Sequence, residues 1–293
     1  MRSLPAFRRA TRALVLGAVA LCARLEAQGA PEPPAAVLVG AGDIAGCGAG
    51  YADGATARLI ERIGGTVFTA GDNAYPDGAA ADLACYDRSW GRFKNRTYPS
   101  PGNHEYQSEG AAPYFAYFGA RAGPAGRGYY SYDLGGWHVV ALNSERDLKQ
   151  EAAWLAADLA AHPAACTLAY WHKPLFTSGS EHPPETPMRP IWRVLYDAGA
   201  EVVISGHNHQ YERFAAQDAD GRADPARGLR QFVVGTGGNP RLYDFDAPRP
   251  NSEVRWNGGY GVLRLTLLPG RYEYEFVPVP GRTFTDRGTG SCH

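Results

Sequence analysis

The stretch Thr66-Val67-Phe68-Thr69-Ala70-Gly71-Asp72-Asn73-Ala74-Tyr75 decides the reading of the fold. Its first five residues are β-branched, aromatic or small, as a short buried strand requires. A glycine then breaks the strand directly before a carboxylate. Upstream, residues 53–63 have a helical pattern stopped by Gly64-Gly65, and residues 37–40 are an apolar strand. Strand, helix, strand in that order is a βαβ unit with parallel strands. The first strand also leads into a glycine and a carboxylate, Gly42-Asp43.

Working outward, residues 79–93 read as a helix. Residues 129–134 and 137–142, joined by Gly135-Gly136, read as a hairpin. The alternation then resumes with a helix over 148–161, a strand over 167–171, a helix over 190–198 and a strand over 201–204. Strands follow at 231–234, 261–267 and 271–277, and residues 217–228 read as a surface loop. The expected architecture is α/β, a four-layer sandwich of two mixed β-sheets flanked by helices. One domain is expected over 36–280, with a tail over 281–293.

The N-terminal residues have a different character. Arg2, Arg8, Arg9 and Arg12 precede an apolar stretch from Ala13 to Ala23, closed by Arg24. That stretch is too short for a bilayer core of roughly 30 Å, which needs about 20 residues. A basic start, a short apolar run and small residues near Ala27 make residues 1–27 a secretory signal peptide. A Pro-rich linker over 28–35 follows. Export places the mature chain outside the cell or in a periplasm. Removing the five arginines and one glutamate of 1–27 takes the formal charge from −1 to −5. That balance argues against nucleic-acid or anionic-membrane partners. Cys47, Cys85, Cys166 and Cys292 remain, an even count that favours two disulfides, with three connectivities open. Cys47 with Cys85 is the expected pair, because each follows a polar strand-end motif, leaving Cys166 with Cys292.

Polar residues suited to metals recur after the strands. They are Gly42-Asp43, Gly71-Asp72-Asn73-Ala74-Tyr75, Gly102-Asn103-His104-Glu105, Trp171-His172 and Gly206-His207-Asn208-His209. Each alone is an ordinary turn. In open α/β sheets, however, ligands bind beyond the carboxyl ends of parallel strands, where successive ends lie on one edge. Five such motifs in order therefore point to one site. Carboxylate, amide oxygen, imidazole and phenolate suit Fe, Zn or Mn, and no cysteine lies among them to suggest a structural zinc. His138 in a strand, His162 at a helix end and terminal His293 read instead as packing or surface residues.

The order GD…GDxxY…GNHE…H…GHxH resembles the calcineurin-like metallophosphoesterases, and among them the purple acid phosphatases. Gly206-His207-Asn208-His209-Gln210-Tyr211-Glu212-Arg213 is similar to that family's GHxHxYER. The resemblance covers roughly residues 36–280 and suggests the short, single-domain form. Two positions depart from it: Ala45 stands where GDxG has its last glycine, and Ala169-Tyr170-Trp171-His172 replaces VxxH. Most calcineurin-like enzymes use a D-x-H histidine where Ala45 stands, and Tyr75 is where purple acid phosphatases supply a phenolate. The resemblance implies a first metal on Asp43, Asp72, Tyr75 and His209, and a second on Asp72, Asn103, His172 and His207. It also implies Fe(III) at the tyrosine site and Fe(II), Zn or Mn at the other. The expected reaction is hydrolysis of a phosphate monoester of a small molecule by a metal-activated hydroxide. His104 and His182 are the candidates to protonate the leaving group. A phosphodiesterase or nucleotide pyrophosphatase on the same scaffold is the alternative. An inactive metal-binding receptor or scavenger is the alternative from another class.

Overall fold

A strand that is apolar on both faces must lie inside a sheet. Ala36–Ala41 does so, between Gly261–Leu268, antiparallel to it, and Thr66–Ala70, parallel to it. The structure, a computed structural model, describes Met1, residues 34–124 and residues 126–293. The expected leader, and the linker up to residue 33, fall outside the described residues.

The first sheet has six strands in the order Asp286–Ser291, Arg271–Pro278, Gly261–Leu268, Ala36–Ala41, Thr66–Ala70, Thr97–Ser100. The second has seven, in the order Ser252–Trp256, Tyr211–Phe214, Arg230–Val234, Val202–Ser205, Thr167–Tyr170, Trp137–Ala141, Tyr130–Leu134. Both mix parallel and antiparallel pairs. They pack face to face: the rings of Phe68 and Tyr170 lie 5.6 Å apart, and the Tyr170 hydroxyl donates to the Tyr98 carbonyl at 2.9 Å. On the outer side of the second sheet, Val140, Ala169 and Val203 pack with Leu155, Ile191 and Leu195 of helices Leu148–Ala161 and Arg189–Asp197. Burying an aliphatic side chain of this size stabilises by about 1.5–3 kcal/mol each. Leu59 and Ile60 of helix Asp53–Ile63 pack on the first sheet. The layers are those expected.

The structure adds helix Ala112–Phe118 and strands Tyr211–Phe214 and Ser252–Trp256 to those read from the sequence, and three further segments differ from that reading. The helix expected over 79–93 stops at Asp87, and a separate 3-10 turn runs over Trp90–Arg96. The Ser89 hydroxyl donates to the Tyr86 carbonyl at 3.2 Å, a local bond that competes with the helix ladder. Thr97–Ser100 is a strand despite Pro99, which a sheet edge tolerates because no ladder donor is needed there. Residues 286–291, read as part of a tail, form an edge strand, so the domain runs past 280. Gly288 and Gly290 pair opposite Tyr274 and Tyr272, whose rings cover them. A Cβ would meet Tyr274 at 2.6 Å and Tyr272 at 2.3 Å respectively.

The disulfides are Cys47–Cys85 and Cys166–Cys292, the expected pairing. The second ties the C-terminal edge of one sheet to the start of Thr167–Tyr170 in the other. No helix among the described residues is long and apolar enough to cross a membrane.

Candidate dimetal centre

Parallel registers bring five strand ends to one rim. Asp43, Asp72 and Asn103 follow Ala36–Ala41, Thr66–Ala70 and Thr97–Ser100 of the first sheet. His172 and His207 follow Thr167–Tyr170 and Val202–Ser205 of the second, and His209 precedes Tyr211–Phe214. Tyr75 arrives on a short parallel pairing of Ala45–Gly46 with Ala74–Tyr75. Asp43, Asp72 and His207 hold left-handed backbone at φ 63°, 48° and 70°. Non-glycine residues rarely take that conformation, and sites of function are where it collects. Gly71, at φ 79°, is required twice over, since a Cβ there would lie 2.6 Å from the His172 ring.

All seven side chains expected as metal ligands converge, in two overlapping sets. The Tyr75 phenol oxygen lies 2.9 Å from Asp43 Oδ1, 3.1 Å from Asp72 Oδ2 and 3.1 Å from His209 Nε2. His209 Nε2 is 3.2 Å from Asp43 Oδ1. In the second set, His172 Nε2 is 3.1 Å from each of Asp72 Oδ2, Asn103 Oδ1 and His207 Nδ1. Asp72 Oδ2 belongs to both sets. Four donors around an ion with bonds of about 2.0 Å stand about 3.3 Å apart, so these spacings fit a pair of cations sharing Asp72.

The outer contacts aim the donors. A carbonyl only accepts, so His172 Nδ1 donates to the Ala70 carbonyl at 2.8 Å, and His209 Nδ1 donates to the Arg241 carbonyl at 2.6 Å. Both Nε2 atoms then face the centre. Asp72 Oδ1 accepts the His104 backbone N–H at 2.9 Å, and Asp43 Oδ2 accepts that of His207 at 2.9 Å. The electrostatics call for positive charge. Burial disfavours charge on His172, yet Asp72 beside it outweighs burial and lifts the imidazole pKa to about 10. Burial likewise works against ionised Asp72, but His172 and His104 hold its carboxyl well below the usual range. Burial, with Asp43 and Asp72 next to it, raises the Tyr75 phenol well above its ordinary value. A cation among these donors does what the proton does here.

The two other expected residues stand at the mouth. The His104 ring packs on Tyr75 at 4.4 Å, with Nε2 3.8 Å from Asp72 Oδ2 and a side chain 32% exposed. The His182 ring stacks on His207 at 4.0 Å, half-buried, and burial lowers its pKa.

Sequence reasoning missed three supporting residues. Glu105, buried, accepts the backbone N–H groups of Asn73, Ala74 and Gly102 at 2.8, 3.2 and 2.7 Å, stapling two motif loops together. Its place inside Gly102-Asn103-His104-Glu105 was the available signal. Tyr243 stacks on His209 at 4.2 Å, and Lys173 pairs with Glu145 at 2.8 Å beside His172. Tyr243 lies in the loop well beyond strand Arg230–Val234, where no spacing from a strand end singles it out.

Two sheets whose joined edge delivers two donor sets through a shared carboxylate define a dinuclear metal protein of the α/β sandwich class. Residues 19–211 match the calcineurin-like phosphoesterase family, and the chain belongs to it. Purple acid phosphatase 22 of Arabidopsis thaliana is 35% identical over 154 residues, 49% of this chain and 35% of that protein. Purple acid phosphatase 18 of the same plant is 31% identical over 187 residues, 56% of this chain and 42% of that protein. The chain thus spans about a third to two-fifths of the length of these curated relatives. Among solved structures, purple acid phosphatase PPD1 from yellow lupin (Lupinus luteus) seeds matches with a TM-score of 0.72 at 17% identity, over 88% of this chain and 54% of that one. A dimetal phosphatase from Danio rerio matches at 0.58 and 13% identity, over 88% of this chain and 99% of that one. At such identities the likeness is one of fold.

Proposed function

We propose that the chain is an exported dimetal phosphatase that hydrolyses phosphate monoesters of small molecules, with the seven convergent side chains as ligands. The observation that carries this reading is Asp72 Oδ2, which stands within 3.1 Å of both Tyr75 and His172 and so joins the two donor sets. Asp43, Tyr75 and His209 complete the first set, where a buried phenolate suits Fe(III). Asn103, His172 and His207 complete the second, which suits Fe(II), Zn or Mn. Held by these residues, two ions would supply Lewis-acid polarisation of a phosphate and a bound water of lowered pKa.

The chain's own groups supply orientation and a proton. The His104 backbone N–H fixes one oxygen of Asp72, leaving the other for the ions. His104 Nδ1 donates to the Pro76 carbonyl, so Nε2 is the nitrogen that faces the site. When Nε2 is protonated as well, it delivers that proton from the mouth to the leaving alkoxide oxygen. His182, stacked on His207 at the mouth, is placed to take part in the same transfer. Export is supported by the basic and apolar pattern of residues 1–27 and by two disulfides, which persist in oxidising compartments.

Protein recovered from the medium or periplasm tests these points on one sample. Its intact mass should lack residues 1–27. Elemental analysis should find two ions per chain, at least one of them iron. p-Nitrophenyl phosphate should be cleaved faster than its bis-ester. A faster bis-ester makes the protein a diesterase. Two ions with no turnover of either ester makes it a scavenger or receptor. One ion or none after metal-replete expression removes the dimetal reading itself.

A further inference from the structure

A second cluster of histidines and carboxylates lies away from the dimetal centre. His138 sits in strand Trp137–Ala141, and Asp158 and His162 lie in and just after helix Leu148–Ala161. The two imidazole rings stack 5.3 Å apart at 14°. His138 Nε2 is 2.9 Å from Asp158 Oδ2, and His162 Nδ1 is 3.3 Å from Asp158 Oδ1. One donor atom from each of the three residues falls within 4.8 Å of the others.

The far side of His138 makes this more than a crowd of polar groups. Its Nδ1 is held by Asp133 Oδ1 at 3.1 Å, from the paired strand Tyr130–Leu134. A neutral imidazole has one N–H, so when Asp133 takes it, Nε2 turns a lone pair toward the Asp158 carboxylate. In that tautomer the lone pair and Asp158 Oδ2, 2.9 Å apart, are two donor atoms that an ion can take from one side. Carboxylate, histidine and metal in line is a recurrent way of fixing a ligand imidazole. His138 and Asp158 are buried, at 2% and 8% side-chain exposure, so both donors are held in place. A cleft of about 390 Å³ lined by Asp133, Trp137, His162 and Pro163 leaves room for water on the open side.

We propose that His138, Asp158 and His162 bind a third divalent ion, zinc by its two-imidazole, one-carboxylate donor set, with Asp133 orienting His138. His138 pairs in register with Thr167, five residues before His172, so the site lies about 16 Å along the strands from the dimetal centre. At that distance the ion is a clamp that fastens the end of helix Leu148–Ala161 to the hairpin. His162 Nδ1 donates to the Asp158 carbonyl at 2.9 Å without the ion. Uptake exchanges that N–H bond for a coordinate bond, the ring proton moving to the solvent-facing Nε2.

The test uses the whole protein with its dimetal centre loaded, equilibrated with Zn²⁺ and desalted. Wild type should carry one more ion per chain than His162→Ala, and added Zn²⁺ should raise the Tm of wild type alone. The His162 side chain is 53% exposed, so its truncation leaves the core intact. Asp158→Asn should lose the same ion. Equal metal counts in wild type and His162→Ala overturn the proposal, as does a zinc-induced rise in Tm that survives both substitutions. The three residues would then form only the hydrogen bonds described.

Discussion

Tyr75→Phe removes a single oxygen from the centre of the first donor set. The ring stays supported, by Tyr51 at 6.2 Å and His104 at 4.4 Å, so the substitution deletes chemistry and keeps volume. That oxygen touches three donors between 2.9 and 3.1 Å. In metal-free protein its loss leaves a buried carboxylate oxygen without its donor, a cost of about 1–3 kcal/mol. With metal bound the loss is larger. Removing a partner that only supports a ligand costs about 10–100-fold in affinity, so removing one of four direct donors should cost at least about 100-fold, near 2.8 kcal/mol. Iron held by tyrosinate has a visible charge-transfer band, so iron-loaded wild type should be pink to purple. The assay is the visible spectrum together with iron per chain after dialysis, for both proteins. Tyr75→Phe should lose the band and about half its metal. A variant that is less stable but keeps colour and iron would refute the reasoning. Tyr75 would then be a buried tyrosine that merely hydrogen-bonds to Asp43 and Asp72, with some other residue completing the first site.

His104→Ala keeps the backbone N–H that holds Asp72, so both ions and the colour should remain while turnover falls by about 10²–10⁴-fold. Unchanged turnover in a metal-replete variant removes His104 from the proton step. Glu151 gives a pH prediction away from the metals. Burial, partly offset by the Asn143 backbone N–H, raises its pKa from 4.5 to about 8. The folded state therefore keeps a proton that the unfolded chain releases. Stability should fall as pH rises through that window, by up to about 1.4 kcal/mol per pH unit. Between pH 5.5 and 7.5, Glu151→Gln should lose less stability than wild type in urea, and parallel losses would exclude Glu151 as the cause.

The strands that were legible are those whose burial dictates composition. Thr66–Ala70 and helix Asp53–Ile63 have the expected bounds, because a two-sided apolar run and a glycine pair leave one solution. Thr97–Ser100 was hidden by Pro99, whose defect matters only in a strand's interior. Asp286–Ser291 was hidden by Gly288 and Gly290, whose packing surface comes from Tyr272 and Tyr274 on the neighbouring strand. A segment that borrows its apolar surface from a partner carries no periodicity of its own.

The site was legible for a different reason. Parallel strands deliver their carboxyl ends to one edge, so a polar residue just past a strand has a known destination before any coordinates exist. Asp43, Asp72, Asn103, His172 and His207 all obey that rule. His138, Asp158 and His162 do not. They gather near the opposite ends of the strands, where His138 begins one and the helix return brings the other two back to it. Nothing in a strand histidine or a helix-end histidine shows which carboxylate it will meet, because that depends on the return angle of helix Leu148–Ala161 across the sheet. The angle is set by Leu155 packing in the apolar layer with Ile191 and Trp192, residues some 40 positions away. The same helix packing that completes the fold therefore assembles the second cluster, and a sequence read one segment at a time sees only two isolated imidazoles.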